Sequence, residues 1–105
     1  MSGAPVYLVA NISEITDRDT YGTYESGFLP LLEKHGGELV SVDENSESLE
    51  GENALGGRMV ILKFANEASA KAWHSDPDYQ ALSEHRRAAS RMNFLQLVRG
   101  FEPLG

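Results

Sequence analysis

The chain of 105 residues contains no cysteine. That excludes a disulfide framework, a thiolate nucleophile and a cysteine-ligated zinc, and it lets the chain fold in either redox compartment. Bases are scarce as well: nine Lys and Arg against sixteen Asp and Glu leave a net charge of −7. A nonspecific grip on nucleic acid phosphates or on an anionic membrane is therefore disfavoured, and neither is an expected partner. Long apolar runs are missing too. Val6 to Ala10 is far too short for a membrane span, and the first fourteen residues lack the basic start of a secretory signal, so a cytoplasmic location is expected.

What is present suits a single domain over residues 1–105, with 41% hydrophobic side chains and a length within the usual range of about 100–150 residues. The charges are unevenly placed. Glu38 to Glu52 carries six acids and no base, whereas Lys71 to Arg99 carries five bases against three acids, so a local anion site is compatible with the acidic whole.

Val6 to Ile12 (VYLVANI) is a β-branched and aromatic run of strand length. Thr16 and Asp17 offer capping oxygens, and Tyr21, Tyr24, Phe28, Leu31, Leu32 and His35 recur at three- and four-residue steps, predicting an amphipathic helix. Pro30 predicts a bend within it, and Gly36 with Gly37 predicts its end. Glu38 to Asp43 reads as a short edge strand, and Asp43 to Gly57 (DENSESLEGENALGG) as a long acidic loop, either a lid or slack. Arg58 to Ala65 reads as a third strand. Asn66 caps a helix over Glu67 to Ser75, Asp76 and Pro77 break and restart it to about Ser90, and Met92 to Phe101 closes as a fourth strand.

The order βαββαβ predicts an α+β fold: a ferredoxin-like antiparallel sheet with two helical regions on one face. Strands one, three and four keep apolar residues on both sides, for example Val6, Leu8, Ala10 and Ile12 opposite Tyr7 and Val9. An uncovered apolar face invites association, and a second copy in an isologous homodimer is the simplest cover.

Arg86 is the strongest chemical signal, because its spacing from Tyr79 and Leu82 sets a guanidinium on the inward stripe of the second helical region. A buried arginine cannot shed its proton and demands an anion. Either it pairs internally with Glu50 or another acid, or snorkels to water, or it is a hook for an anionic ligand. Trp73, the only tryptophan, and Tyr79 flank the Asp76–Pro77 break and either form an aromatic wall beside Arg86 or simply pack the core. Tyr21 and Tyr24 read mainly as packing, with each hydroxyl needing a partner, and Tyr24 stands beside the other candidate ligand contacts. His35 precedes the two glycines, where helix capping competes with any catalytic role. His74 and His85 are eleven residues apart, on the order of 16 Å along a helix, too far to share a metal. No phosphate loop, dinucleotide fingerprint, nucleophile elbow or paired-histidine helix occurs, and no cofactor or metal is expected.

Taken together, Tyr21 to Tyr24 in a helix ending His35, Gly36, Gly37, then Leu49, Glu50, Gly51, then Phe64 with Ala68, Ala70, Trp73, Ser75, Tyr79 and Arg86 resemble a family of small bacterial proteins catalogued only as a domain of unknown function. That family lies within the dimeric α+β barrel superfamily. The resemblance covers nearly the whole chain, which departs from it at Glu38, where members typically carry a base, and in a longer, more acidic hairpin. It implies a homodimer with two sheets facing each other, and a cleft near His35, Glu50, Trp73, Tyr79 and Arg86. The superfamily includes cofactor-free monooxygenases, lactone isomerases and haem enzymes, so architecture alone does not name the activity.

Two functions follow. In the first, the chain is a small-molecule-binding protein or enzyme, of cofactor-free oxygenase or isomerase type, acting on an organic ligand with an anionic or enolisable group. Arg86 holds that group, Trp73, Tyr79 and Tyr24 wall it, Glu50 is the candidate proton acceptor and His35 a weaker one. In the second, the chain is a noncatalytic homodimer that binds a ligand or serves regulation or stress handling, with Glu50 and Arg86 paired across a filled core.

Overall fold

A computed structural model of the protein describes residues 4–52 and 54–101. The elements run β1 (Val6–Ile15), α1 (Arg18–Lys34), β2 (Glu38–Asp43), β3 (Arg58–Phe64), α2 (Glu67–Ser75), α3 (Pro77–Ala89) and β4 (Ser90–Arg99). The strands form one sheet in the order β2-β3-β1-β4, and every neighbouring pair is antiparallel. This is the ferredoxin-like α+β topology the element order predicts.

Local chemistry accounts for the boundaries. Asp17 caps α1 by accepting from the Thr20 amide at 3.1 Å, and Asn66 caps α2 by accepting from the Ser69 amide at 2.8 Å. At the far end of α1 the Gly36 amide donates to the Glu33 carbonyl and the Gly37 amide to the Leu32 carbonyl, a Schellman closure with Gly36 at φ +74°. Asp76 ends α2 and caps α3, accepting from the Asp78 amide at 2.9 Å, and Pro77 follows at the first helical turn, where its missing donor costs nothing.

Three expectations shift. Helix α1 continues through Pro30 to Lys34; the Ser26 carbonyl, which loses its helical donor, is on an exposed residue where solvent can reach it. Strand β1 extends three residues past Ile12 and β4 begins two residues before Met92, because Glu14 pairs with Arg91 and Ile15 with Ser90 beyond irregularities at Ile12. The polar residues of that extension hide it from any apolar pattern.

Val6, Leu8, Ala10 and Ile12 point towards the helices with Leu62 and Phe64, and α1, α2 and α3 close over them with Tyr21, Tyr24, Leu32, Trp73 and Tyr79. On the opposite face the register sets Val9 beside Ile61 and Gln96, Tyr7 beside Val98, and Asn11 beside Phe94 and Met59. Among the described residues no helix covers that face; at its Asn11 end, where Asn11 is fully buried and donates to the Gly56 carbonyl at 3.0 Å, the β2–β3 loop closes over it. No helix among them is long and apolar enough to cross a membrane.

Candidate functional site

The helix layer and the sheet do not meet everywhere. Between them lies a cavity of about 280 Å³, close to the lower end of the ~300–1,000 Å³ usual for ligand sites. Leu8, Ala10, Val60 and Leu62 make its floor, and Tyr21, Tyr24, Trp73, Tyr79 and Arg86 its roof and inner end. Leu29 of α1 with Leu39 and Val42 of the edge strand β2 line its outer end, and each is more than 40% exposed.

Arg86 is only 6% exposed. Its guanidinium carbon lies 5.7 Å over the Tyr24 ring, Nη1 reaches the Met92 sulfur at 3.4 Å, and Nε is buried with no partner. No carboxylate among the described residues pairs with it. The internal ion pair with Glu50 is thus not formed. Nearby, the indole Nε1 of Trp73 is likewise buried without an acceptor. Trp73 and Tyr79 lie close, ring centroids 4.1 Å apart, and the hydroxyls of Tyr79 and Tyr24 meet at 2.9 Å. Burial, and then the Tyr79 hydroxyl, push the Tyr24 phenol far above its usual range, so it stays protonated. Burial first, then the charges of Arg86 and Arg87, hold His74 below the ordinary imidazole value. The inner end is therefore apolar and positively charged, with two buried donors, Arg86 Nε and Trp73 Nε1, that have no acceptor among the described residues.

At the outer end stand two residues to which the sequence assigns no role. Arg58 donates from Nη1 to Glu25 at 2.9 Å and from Nη2 to Glu44 at 3.1 Å, with its guanidinium 5.3 Å over the Tyr21 ring. Glu25 lines the cavity and is its only carboxylate among the described residues. A signal existed for Glu25: it lies four residues after Tyr21, on the same side of α1. Arg58, 33 positions away, offered none.

Neither expected proton acceptor lines the cavity. Glu50 is exposed on the β2–β3 loop, whose polar residues have no reason to fold back over an apolar mouth. His35 is the C-cap of α1, and its Nε2 lies 2.8 Å from the Asp76 carboxylate; a carboxylate only accepts, so Nε2 carries the hydrogen. Lys34 donates to the same oxygen at 2.9 Å. His35 thus ties the end of α1 to the α2–α3 junction. Among the described residues no group of three His, Asp or Glu side chains is arranged to hold a metal ion.

A ferredoxin-like α+β domain with a donor-lined cavity between sheet and helices is the class these features define. Residues 5–101 match the model of the domain of unknown function DUF1330, and the chain belongs to that family. No curated protein is detectably similar in sequence. Among solved structures, the RPA0582 protein of unknown function from Rhodopseudomonas palustris superposes with a TM-score of 0.75 at 19% identity, over 96% of this chain and 85% of that one. SnoaB, a cofactor-independent oxygenase from Streptomyces nogalater, superposes with a TM-score of 0.67 at 12% identity, over 96% and 97%. A Caulobacter crescentus CB15 protein provisionally named an antibiotic biosynthesis monooxygenase gives 0.60 at 13% identity, over 95% and 92%. At these identities the likeness is one of fold.

Proposed function

We propose that the protein binds a small organic molecule with an anionic or enolisable group, held by Arg86 and walled by Trp73, Tyr79 and Tyr24. One observation carries this reading: a buried guanidinium with no acid partner opens onto a cavity. Burying an unpaired charge costs several kcal/mol, and a charge-assisted hydrogen bond to a ligand offsets that cost. The only tryptophan lies in the cavity wall, so its fluorescence reports occupancy. Titration with small carboxylates, phenols and keto acids is expected to change Trp73 emission in the wild type and at least tenfold more weakly in Arg86→Met. A wild type indifferent to all of them overturns the reading.

The fold shared with a cofactor-independent oxygenase supports an enzymatic version. In an isomerase, a substrate C–H would lose its proton to a carboxylate, Arg86 would hold the resulting enolate, and the proton would return at another carbon; an oxygenase would add dioxygen to the same carbanion. Glu25, which lines the cavity where Glu50 does not, is the candidate acceptor of that proton. The noncatalytic version has its own support: Glu25 is already bonded to Arg58, and the Tyr24 phenol holds its proton. Proton exchange from a bound keto acid, followed by NMR in deuterated water, separates the two. Exchange abolished by Glu25→Gln supports catalysis, and its absence in the wild type supports binding alone.

The protein acts as a homodimer in the cytoplasm, with the uncovered faces of two sheets packed together. Val9, Ile61, Phe94 and Val98 on one face support this, since an apolar face is stable when sealed by its twin. Sedimentation at micromolar concentration is expected to give a dimer that Ile61→Glu splits. A wild-type monomer overturns the pairing.

A further inference from the structure

We propose that the ligand is an amphipathic monocarboxylate, inserted carboxylate first, whose hydrocarbon chain leaves the cavity across the lip formed by Leu29, Leu39 and Val42. This rests on the reading of the cavity as a ligand site and specifies what fills it. Polarity fixes the direction. The unpartnered donors, Arg86 Nε and Trp73 Nε1, belong to side chains 6% and 1% exposed, at the inner end. A carboxylate supplies two acceptor oxygens and a single charge, matching one unpaired guanidinium.

The outer end fixes the rest of the molecule. Leu29, Leu39 and Val42 are 45%, 42% and 47% exposed yet line the same cavity, so its apolar wall continues into solvent. The one cation there among the described residues, Arg58, is already engaged by both Glu25 and Glu44, which leaves the outer end with an excess of negative charge and no free cation for a second anionic group. A short acid would leave the lip wet, whereas a longer chain covers it. Each methylene buried there strengthens binding roughly fourfold.

The test is Trp73 fluorescence with the straight-chain acids butyrate, hexanoate, octanoate, decanoate and dodecanoate and the matching primary alcohols, all below micelle-forming concentrations. Affinity is expected to rise along the whole acid series, with each acid at least tenfold tighter than its alcohol. Arg86→Met is expected to abolish the acid–alcohol difference. Leu39→Ser with Val42→Ser is expected to flatten only the decanoate and dodecanoate end, while unchanged hexanoate affinity shows that the fold is intact. A series that levels off at hexanoate, or a long end untouched by the lip variant, overturns this proposal and leaves the anion site standing. Alcohols as tight as acids overturn the charge-inward orientation. Silence from every acid in the wild type overturns this proposal, and the ligand site itself falls only if phenols and keto acids are silent as well.

Discussion

The Arg86 guanidinium rests 5.7 Å over the ring of Tyr24 and is the only basic group of the inner cavity. Magnitudes decide what this means. A cation over an aromatic face recovers about 0.5–2 kcal/mol, whereas desolvating a charge costs several. The protein therefore holds Arg86 at a net cost in stability, as a binding residue is held and a structural ion pair is not.

Replacing Arg86 with Met should leave stability unchanged or raise it by about 1–2 kcal/mol, several degrees in Tm. Thermal unfolding followed by circular dichroism checks this. A loss of more than about 2 kcal/mol would show that Arg86 braces the core.

The hydroxyls of Tyr24 and Tyr79 satisfy each other in a buried setting, 2.9 Å apart. Tyr24→Phe or Tyr79→Phe alone strands one hydroxyl and is expected to cost about 1–3 kcal/mol. The double variant strands none, so its cost should fall well short of the sum. Urea unfolding of the three variants reads the coupling, and simple additivity would deny it.

Periodicity makes some of this legible and topology hides the rest. Tyr79 and Arg86 lie seven residues apart, two turns of α3, so spacing alone sets them on one face, whereas Trp73 belongs to α2 and meets them only because the chain breaks and restarts at Asp76–Pro77. Tyr24 follows Tyr21 by a single turn, which sets it on the inward side of α1, while its contact with Tyr79 depends on how α1 packs against α3. The apolar alternation of β1 and β3 likewise announces both sheet faces. Glu50 illustrates the opposite case: it belongs to a loop without periodicity, so its position relative to Arg86 has no local determinant. The Glu25–Arg58–Glu44 cluster joins α1, β3 and the start of the β2–β3 loop and depends on the antiparallel register, which sets Arg58 opposite Ile12 next to α1. Chain-distant contacts of that kind carry no signal at the level of spacing.

Close packing at the end of α1 yields a graded prediction. A Cβ added at Gly37 would lie 2.5 Å from Leu32 Cδ1 and 2.7 Å from Phe64 Cε2, so Gly37→Ala should cost about 1–3 kcal/mol by overpacking. Gly36→Ala meets no atom but must hold φ +74°, a strain of about 1–2 kcal/mol. Gly22, inside α1 with open space around it, is the control: Gly22→Ala should stabilise by about 0.5–1 kcal/mol. Chemical denaturation ranks the three, and a destabilised Gly22→Ala would discredit the packing account.

Asp76 makes the stability of the fold depend on acid. Its carboxylate, 6% exposed, accepts from His35, from Lys34 and from the Asp78 amide, and these bonds, His35 first, hold its pKa well below the usual carboxylate value. The unfolded chain then binds this proton more readily than the native one at acid pH. The contribution of Asp76 is accordingly complete above the unfolded value near pH 4 and drains away as pH falls below it. Asp76→Asn keeps the cap on α3 and abolishes the charge, whereas Asp76→Ala removes both. At pH 7 both variants should melt below the wild type, Asp76→Ala by about 5 °C more for the lost cap. Between pH 4 and pH 2 the gap between the wild type and Asp76→Asn should narrow steadily. A gap of constant size over that range would mean that the link between α1 and α3 does not depend on charge.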